Sequence, residues 1–495
     1  MTSVNDKGAE LRRHELAGGL LGPFAPEWES LQQKTTPAWF KDAKFGVFIH
    51  WVVASVPAFG SEWYPRNMYI EGTPEFDHHI STYGDQSDFG HKDFIPYFSG
   101  EKFAAASWID LIIRAGAKYV VPVAEHHDGF ALYDSDLTRW KSTEMGPRRD
   151  VIGELELAAR DRGLAFGISY HRAENWWFFN GGMRFASDVR REGSADLYGR
   201  AQALESPPDD TFLVEWSARL TEIIEKYDPA LVWLDWWVEQ PAFKPYLREF
   251  AAYYYNRGFA KEREPTIIYK WDAFAEGAAT AAVERGSVRS IQTRFFQNDT
   301  STSRVGWAHL SDNDFKSASD LVGELIDTVS KNGSLLLNIG PRPDGSITEI
   351  ETALLLGVGD WLTVNGDAIY STRPWVTFGE GPTQQELGSF SDVVPTAWTA
   401  EDVRFTTIGC TVYACFFTWP ESSALLKTFS TDLRLIDGRV KSVSLLGVGA
   451  IGWTVDHTGL RISIPSERPN PISPVVAIEI EPNGAVERYE PEFPR

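Results

Sequence analysis

Five short segments of the chain place titratable side chains where apolar runs end. These segments are His50-Trp51, Glu125-His126-His127-Asp128, Tyr170-His171, Asp235-Trp236-Trp237 and Lys270-Trp271-Asp272. Carboxylates and imidazoles can attack, protonate or hydrogen-bond a substrate, and indole rings cover the apolar faces of sugars. One such residue alone is usually a structural hydrogen-bonding group. Five at equivalent positions indicate one shared pocket.

Asp235 is the strongest candidate for a nucleophile among these residues. It directly follows the apolar run ALVWL and is surrounded in sequence by Trp233, Trp236 and Trp237. A carboxylate held at a strand end between aromatic rings is partly desolvated and suited to attack on a bound sugar. The alternative is an aspartate that caps a following helix, but Trp-Trp-Val is a poor first helical turn. We therefore expect Asp235 to react.

The neighbouring residues His126 and His127 offer hydrogen-bond donors to sugar hydroxyl groups. Adjacent side chains on a strand face opposite ways, so both can reach one ligand only where the strand has ended. We expect this pair to lie in the loop after the strand.

The apolar runs before these residues predict short strands that are buried on both faces. The strand candidates are 44–49, 119–124, 164–170, 230–234, 266–270, 288–293 and 334–339. Helical periodicity lies between them, as in the stripe Phe212, Trp216, Leu220, Ile223, Ile224 and Tyr227. This alternation of strands and helices predicts a parallel sheet with crossover helices.

The connections in this region differ in length on the two sides of the predicted sheet. Segments after the strands are long, as in 51–100, 125–149 and 171–208, whereas the helix-to-strand connections are short. Short αβ loops and elaborated βα loops are typical of a TIM-type β/α barrel whose C-terminal face carries the site. Beyond about residue 372 the chain shows short β-rich runs separated by turn residues, which predict an antiparallel β-sandwich. We expect a catalytic barrel over 1–371 and a β-sandwich over 372–495.

Composition narrows the classes of partner. The net charge of −22 disfavours nucleic acid and anionic lipid, and 19 tryptophans are compatible with a sugar-binding cleft or with a tryptophan-rich core. There is no run of 18 apolar residues, and the N-terminal apolar stretch 16–21 is too short and glycine-rich for a signal peptide. These features predict a soluble, cytoplasmic protein that binds neither nucleic acid nor membrane.

Six segments, taken in order, resemble glycoside hydrolase family 29, the α-L-fucosidases. They read FGVFIHW, SVPAFGSEWYPRNMY, YVVPVAEHHDGFALYDS, LVWLDW, LLLNIGPRPDGSI and NGDAIYSTRPW, and they span about residues 36 to 375. The resemblance implies a β/α barrel with a C-terminal β-sandwich and a retaining double-displacement mechanism. It also implies that no metal or other cofactor takes part, and that the substrate is a fucosylated oligosaccharide or glycoconjugate from which terminal α-L-fucose is released.

The resemblance also assigns roles to individual residues. Asp235 matches the family nucleophile, and Trp233 resembles an aromatic neighbour that helps to form the pocket. Lys270 lies near the position where many members carry an arginine that contacts the sugar. The positions that match fucose-binding residues are His50, Glu62, Trp63, His126, His127 and Tyr170.

The general acid/base is less well determined by the resemblance. Glu284, in the segment AAVERGSVRS after the fifth strand, is our preferred candidate, and Glu276 is the nearby alternative. A retaining enzyme needs the acid/base carboxyl within about 5 to 5.5 Å of the nucleophile, and an inverting enzyme needs a wider gap. Only the fold can supply this distance.

The chain departs from the family pattern at three places. Val52 follows His50-Trp51 where the family usually has glycine, which we expect to reshape the first loop, and Lys270 replaces arginine. The insertion 75–94 adds His78, His79 and His91 and shapes either the leaving-group subsites or the outer surface. The natural linkage stays open, as does a homo-oligomeric state.

The sequence is also compatible with three other functions. A metal-dependent barrel hydrolase would use His50, Glu62, His126, His127 and His171 as ligands, although the chain lacks the His-x-His pair typical of that class. The second is a sugar-binding protein without activity, and the third is a barrel glycosidase acting on another sugar such as a galactoside.

Overall fold

The computed structural model describes residues 22–483, apart from 192, 194, 195 and 200. Its larger part is a closed barrel of eight parallel strands in the order β1 to β8. The strands are β1 (Phe45–Ile49), β2 (Tyr119–Glu125), β3 (Ala165–Tyr170), β4 (Leu231–Leu234), β5 (Thr266–Tyr269), β6 (Thr280–Glu284), β7 (Phe296–Ser301) and β8 (Gly333–Ile339). Pairing of β8 with β1 closes the ring. The predicted β/α barrel is confirmed. Segment 16–21, on which the signal-peptide prediction rested, lies outside the described residues.

One predicted strand is wrong. Segment 288–293 is an irregular connection, and the strands of this region are β6 and β7, on either side of it. The error has a physical cause. β7 turns the polar side chains of Gln297, Asp299 and Ser301 to the barrel interior, so its sequence lacks the apolar run expected of a buried strand. The other predicted strands coincide with observed strands to within one residue at each end.

Side-chain alternation decides which residues reach the mouth of the barrel. Phe48, Trp233, Ile268 and Leu336 belong to an apolar cluster inside the barrel. Two residues further along each strand, the side chain again faces inward but lies at the C-terminal edge. The residues at those positions are His50, Asp235, Lys270 and Asn338. A dry interior layer therefore lies directly beneath a polar one.

Most of the helices lie between the strands along the chain, and some of them are short helices within the long loops after β1 and β3. The helices are α1 (Trp28–Leu31), α2 (Ala38–Ala43), α3 (Tyr64–Asn67), α4 (Pro74–Tyr83), α5 (Ala105–Arg114), α6 (Val151–Asp161), α7 (Asn175–Phe178), α8 (Asp210–Tyr227), α9 (Lys244–Ala260), α10 (Ala318–Ser330) and α11 (Glu349–Asn365). The Asp209 side chain caps α8 by accepting from the N–H of Phe212, just before the apolar stripe predicted for this helix. Asn332, with φ of 76°, turns the chain from α10 into β8.

The remaining strands form two antiparallel sheets. These strands are β9 (Arg373–Glu380), β10 (Val403–Ile408), β11 (Thr411–Phe416), β12 (Ser423–Leu426), β13 (Gly438–Leu445), β14 (Gly449–Ala450), β15 (Trp453–Asp456), β16 (Gly459–Ser463) and β17 (Val475–Pro482). The larger sheet has the order β14-β13-β17-β11-β10-β9, and the smaller has the order β12-β16-β15. The predicted C-terminal β-sandwich is confirmed. In the part of the chain that the structure describes, no helix has the length and apolarity that crossing a bilayer requires.

A buried ion pair joins the two parts of the protein. Arg404 on β10 donates from Nε to the Asp327 carboxylate on α10 at 2.7 Å, and Lys331 donates to the other oxygen at 2.7 Å. The side chains of Arg404 and Asp327 are 7% and 5% exposed. The barrel and the sandwich therefore share a desolvated contact.

We predict that Arg404→Met destabilises the protein by about 2 to 4 kcal/mol, because the variant leaves the buried carboxylate of Asp327 with one cation fewer. Arg439 provides a matched control. Its pair with Glu481 is largely exposed, so Arg439→Met should change stability by less than about 1 kcal/mol. Denaturant unfolding of the three proteins measures both effects. Equal losses in the two variants would contradict a stabilising contact between the domains.

Candidate active site

Asp235 immediately follows β4, and its carboxylate accepts hydrogen bonds from three donors. Its Oδ2 lies 2.6 Å from Nδ1 of His171, and its Oδ1 accepts from Nζ of Lys270 at 3.0 Å and from the N–H of Trp236 at 2.8 Å. Burial by itself would raise the pKa of Asp235, but Lys270 and His171 outweigh it and hold this pKa well below its usual value. The carboxylate is ionised and fixed in position, as a nucleophile requires.

The ammonium group of Lys270 joins two carboxylates. Besides Asp235, its Nζ contacts Oε2 of Glu284 at 2.8 Å. The two carboxylate oxygens can therefore be no farther apart than the sum of these two short distances. That limit is below the separation of about 6.5 to 9.5 Å that inverting glycosidases use. Asp235 and Glu284 therefore lie close together, on either side of one cation.

The structure separates the two candidates for the acid/base. Glu284 is the last residue of β6, and its side chain is 15% exposed beside Lys270. Glu276 is 80% exposed and pairs with Arg294 on the outside. Glu284 therefore lies with Asp235, and Glu276 does not.

His171 and His50 are neutral and oriented by fixed partners. Burial and the nearby cations lower the pKa of His171 to about 4, so its Nδ1–H donates to Asp235 while Nε2 accepts from the Ser169 hydroxyl at 2.9 Å. Burial likewise lowers the pKa of His50, whose Nδ1 lies 2.7 Å from Oδ1 of Asn338. The Asn338 amide nitrogen donates to the Trp307 carbonyl, so Oδ1 is an acceptor and His50 keeps Nε2 free to accept from a ligand.

His126 and His127 lie beyond the end of β2, as their spacing predicted. Burial favours the neutral form of His127, but Glu174, 3.3 Å from its Nδ1, and Asp235 outweigh this effect and raise the pKa of His127 to about 9. His126 differs, because burial and the neighbouring histidines hold its pKa well below the usual value. The pair therefore offers one cationic donor and one neutral ring.

Glu62 and Trp63 reach the same region from the long loop after β1. Glu62 is buried and accepts from the N–H of Trp307 at 2.9 Å, and burial raises the pKa of its carboxyl. The Trp63 ring lies 5.0 Å from the His127 ring and 6.2 Å from the Trp236 ring, measured between centroids. Aromatic surface thus borders the polar groups, an arrangement suited to the two faces of a sugar ring.

The resemblance assigns Tyr170 and Trp233 to the pocket, and the structure places both outside direct contact with it. Tyr170 is directed away from the pocket, because β3 turns it outward and its hydroxyl donates to the carbonyl of Trp216 in α8. The expectation that Tyr170 binds substrate is therefore corrected, and His171, which faces inward, takes its place beside Asp235. Trp233 lies beneath the pocket with the Lys270 ammonium 4.7 Å from its ring, where it supports the cation.

The departures from the family pattern also have structural outcomes. Val52 adopts φ of −135°, an extended conformation open to any residue, so the loop requires no glycine there. The insertion 75–94 does not bring its histidines together in the pocket. His79 contacts Tyr64 and Phe89, and His91 lies 3.2 Å from Asp128.

Asp299 is a buried carboxyl that sequence reasoning missed. It lies on β7 in register with Glu284 on β6, and among the described residues neither of its side-chain oxygens has a hydrogen-bond partner. Burial, opposed in part by Lys270, raises its pKa well above the usual value. A buried carboxyl group with a raised pKa therefore lies in register with Glu284. The signal that could have revealed it is the unbroken polar run QNDTS at 297–301, which is unusual for a buried barrel strand.

The histidines are also close enough to hold a metal ion. Ligand atoms of His50, His126 and His171 lie within 4.8 Å of one another, as do those of His127, His171 and Asp235. His171 belongs to both groups, and both of its ring nitrogens already have hydrogen-bond partners. Metal binding would have to break one of these contacts.

The barrel with paired carboxylates at its mouth defines a glycoside hydrolase of the β/α-barrel class. The family profile described as Alpha-L-fucosidase matches residues 20–367, and the profile described as Alpha-L-fucosidase C-terminal domain matches 397–480. The chain belongs to the α-L-fucosidase family, as the six sequence segments indicated.

Named relatives support this membership over nearly the whole chain. Human tissue α-L-fucosidase is 32% identical over 470 residues, which cover 93% of this chain and 92% of that protein. Human plasma α-L-fucosidase is 32% identical over 452 residues, covering 89% and 88%. The Thermotoga maritima α-fucosidase structure in complex with fucose superposes with a TM-score of 0.73 and 28% identity, covering 92% of this chain and 100% of that one.

The low pKa of His126 predicts a specific dependence of stability on pH. A histidine whose pKa in the folded protein is below its ordinary value of 6.5 contributes stability above pH 6.5, and this contribution is lost as the pH falls. His126→Asn removes the titration, so as the pH falls below 6.5 the variant should lose up to about 1.4 kcal/mol less per pH unit than the wild type.

Calorimetric unfolding over this pH range measures the difference between the two proteins. His457, exposed in the turn between β15 and β16, supplies the control His457→Asn, which should follow the wild-type curve. Parallel curves for wild type and His126→Asn would show that His126 is not held neutral by its surroundings.

Proposed function

We propose that the protein is a retaining α-L-fucosidase that releases terminal α-L-fucose from oligosaccharides or glycoconjugates. The observation that carries this proposal is the bridge from Lys270 to both Asp235 and Glu284. The short bridge favours a nucleophile and an acid/base acting on the same bond. The substrate class rests on family membership and on the human and Thermotoga relatives, which are named as fucosidases.

In the first step, Asp235 attacks the anomeric carbon while protonated Glu284 donates its proton to the departing oxygen. The bond from the anomeric carbon to that oxygen breaks, and a fucosyl ester of Asp235 forms. In the second step, Glu284 removes a proton from water, which attacks the same carbon and releases α-L-fucose. Two displacements at one carbon retain its configuration.

Lys270 faces one negative charge throughout this cycle. Before attack the charge is on Asp235, and after attack it is on Glu284, because the ester is neutral and the acid has lost its proton. Both positions lie within 3.0 Å of the same ammonium nitrogen. A fixed cation stabilises the moving charge without reorganisation of the site, as electrostatic preorganisation requires.

The surrounding side chains give the sugar hydroxyl groups distinct partners. His50 offers an acceptor at Nε2, cationic His127 offers a donor, and Glu62 offers a carboxyl group. Trp63 adds an apolar surface at the edge of the pocket. We assign these four residues and His126 to binding of the fucosyl ring.

The first experiment is hydrolysis of 4-nitrophenyl α-L-fucoside by the wild type and by Asp235→Ala in the presence of EDTA. We expect turnover by the wild type and none above background in the variant. The α-anomer should form first in proton NMR of the product. Initial release of the β-anomer would overturn the retaining mechanism, and loss of activity in EDTA would favour the metal-dependent alternative built on the histidine cluster.

The identity of the sugar is tested with 4-nitrophenyl α-L-galactoside, which differs from the fucoside by one hydroxyl group at C6. We expect the fucoside to be the better substrate. Preference for the galactoside would instead support the related glycosidase acting on another sugar.

We predict that Glu284→Ala lowers activity on fucosyl disaccharides by about 10² to 10⁴-fold, because their leaving groups need a proton. Fucosyl fluoride needs none, so it should still form the intermediate. Azide should then attack the intermediate and give α-L-fucosyl azide, whereas Asp235→Ala should give the β-azide by direct displacement. Glu276→Ala is the matched control and should behave as wild type. If Glu276→Ala rather than Glu284→Ala loses activity on disaccharides and forms α-L-fucosyl azide, Glu276 is the acid/base.

A further inference from the structure

A long loop of the C-terminal domain contacts the strand that carries Glu284. This loop, residues 383–399, lies between β9 and β10 and is longer than the usual connection of about 4 to 6 residues. The Asp402 carboxylate hydrogen-bonds both ends of the loop. It accepts from the N–H groups of Thr383 at 3.0 Å and Thr399 at 2.7 Å. Long closed loops of this kind are commonly functional.

The backbone of the loop pairs with the residues around Glu284. The N–H of Phe390 donates to the carbonyl of Glu284 at 3.0 Å, and the N–H of Gly388 donates to the carbonyl of Ser287 at 3.0 Å. A Cβ atom built on Gly286 would lie 2.0 Å from the carbonyl oxygen of Gly388, so the two chains meet where a side chain would not fit. The loop therefore continues the barrel wall directly beyond the acid/base.

Buried charges hold the loop in this position. Asp392 accepts from Nε of Arg285 at 3.1 Å, from the Thr300 hydroxyl at 2.6 Å and from Nζ of Lys316 at 2.6 Å. The side chains of Arg285 and Asp392 are 4% and 6% exposed. Three donors on one buried carboxylate make the loop a fixed part of the site.

The same loop leaves apolar side chains in solvent. Phe390 is 53% exposed and Val394 is 69% exposed, and Leu387 and Val393 are exposed as well. Four exposed apolar residues within eight positions of an anchored loop are unusual on a protein surface, and such patches mark binding sites.

We propose that loop 383–399 forms the leaving-group subsite. The Phe390 side chain stacks on the apolar face of the leaving group's ring, which is bonded to fucose through the glycosidic oxygen. This inference rests on the proposed function. In a retaining glycosidase the acid/base must reach the glycosidic oxygen, so the leaving group extends past that residue. The surface that borders Glu284 on the outside is therefore the surface that the leaving group meets. Its ligand is a sugar or aryl ring that presents C–H groups or a π face.

The test compares two substrates that differ only in the leaving group. 4-Nitrophenyl α-L-fucoside carries a ring, and α-L-fucosyl fluoride carries none. Phe390→Ala should lower kcat/KM for the nitrophenyl substrate about five- to tenfold and leave kcat/KM for the fluoride within about twofold of wild type. Phe390→Trp keeps an aromatic ring and should restore the ratio. Phe259→Ala, at a phenylalanine that is 62% exposed on α9, is the matched control and should change neither value.

Each result decides between a subsite and a supporting role. If Phe390→Ala lowers kcat/KM equally on both substrates, Phe390 acts only by positioning Glu284. If kcat/KM is unchanged on both substrates, Phe390 does not contact the leaving group. Either outcome overturns the subsite. Failure of the wild type to hydrolyse either substrate would instead overturn the proposed function, and the subsite with it. Unfolding midpoints equal to that of wild type confirm that the variants fold.

Discussion

The active site depends on the buried ion pairs that the Lys270 ammonium group makes with Asp235 and Glu284. Burial of the Asp235 carboxylate close to a second carboxyl group is costly, and a positive charge nearby offsets that cost. Lys270 contacts Asp235 at 3.0 Å and Glu284 at 2.8 Å, and its ammonium lies over the Trp233 ring. One cation therefore holds both carboxyl groups in position.

The barrel makes this arrangement possible because its interior has an apolar layer under a polar one. Phe48, Trp233 and Ile268 fill the lower layer, and the inward-facing residues that follow them form the site. Asp299 is an exception to this layering, because it places a buried carboxyl group next to Glu284. Burial raises the pKa of this carboxyl group. The C-terminal domain completes the wall, since its loop 383–399 pairs with the chain just beyond Glu284 and is held by Asp392. Both domains therefore contribute to one site.

Much of the fold could be predicted from the chain itself. Buried strands such as β2 and β8 are continuous apolar runs, and helices such as α8 carry one apolar stripe and a capping aspartate, so local pattern and tertiary role agree. The prediction failed over 288–293 because β6 and β7 place functional and polar residues inside the barrel. A strand that serves the chemistry of the site lacks the apolar signal that identifies the others.

The sequence by itself determined which residues end the strands, and therefore that His50, His127, Asp235 and Lys270 would meet. This follows from the two-residue repeat of a strand and the common edge of a parallel barrel. Only the tertiary structure placed Glu284 rather than Glu276 beside Asp235, turned Tyr170 out of the site and brought the backbone of Phe390 against Glu284. The physical reason is that these outcomes depend on strand register, on which face a strand presents and on contacts between residues about a hundred positions apart. Local sequence patterns contain no information about those distances.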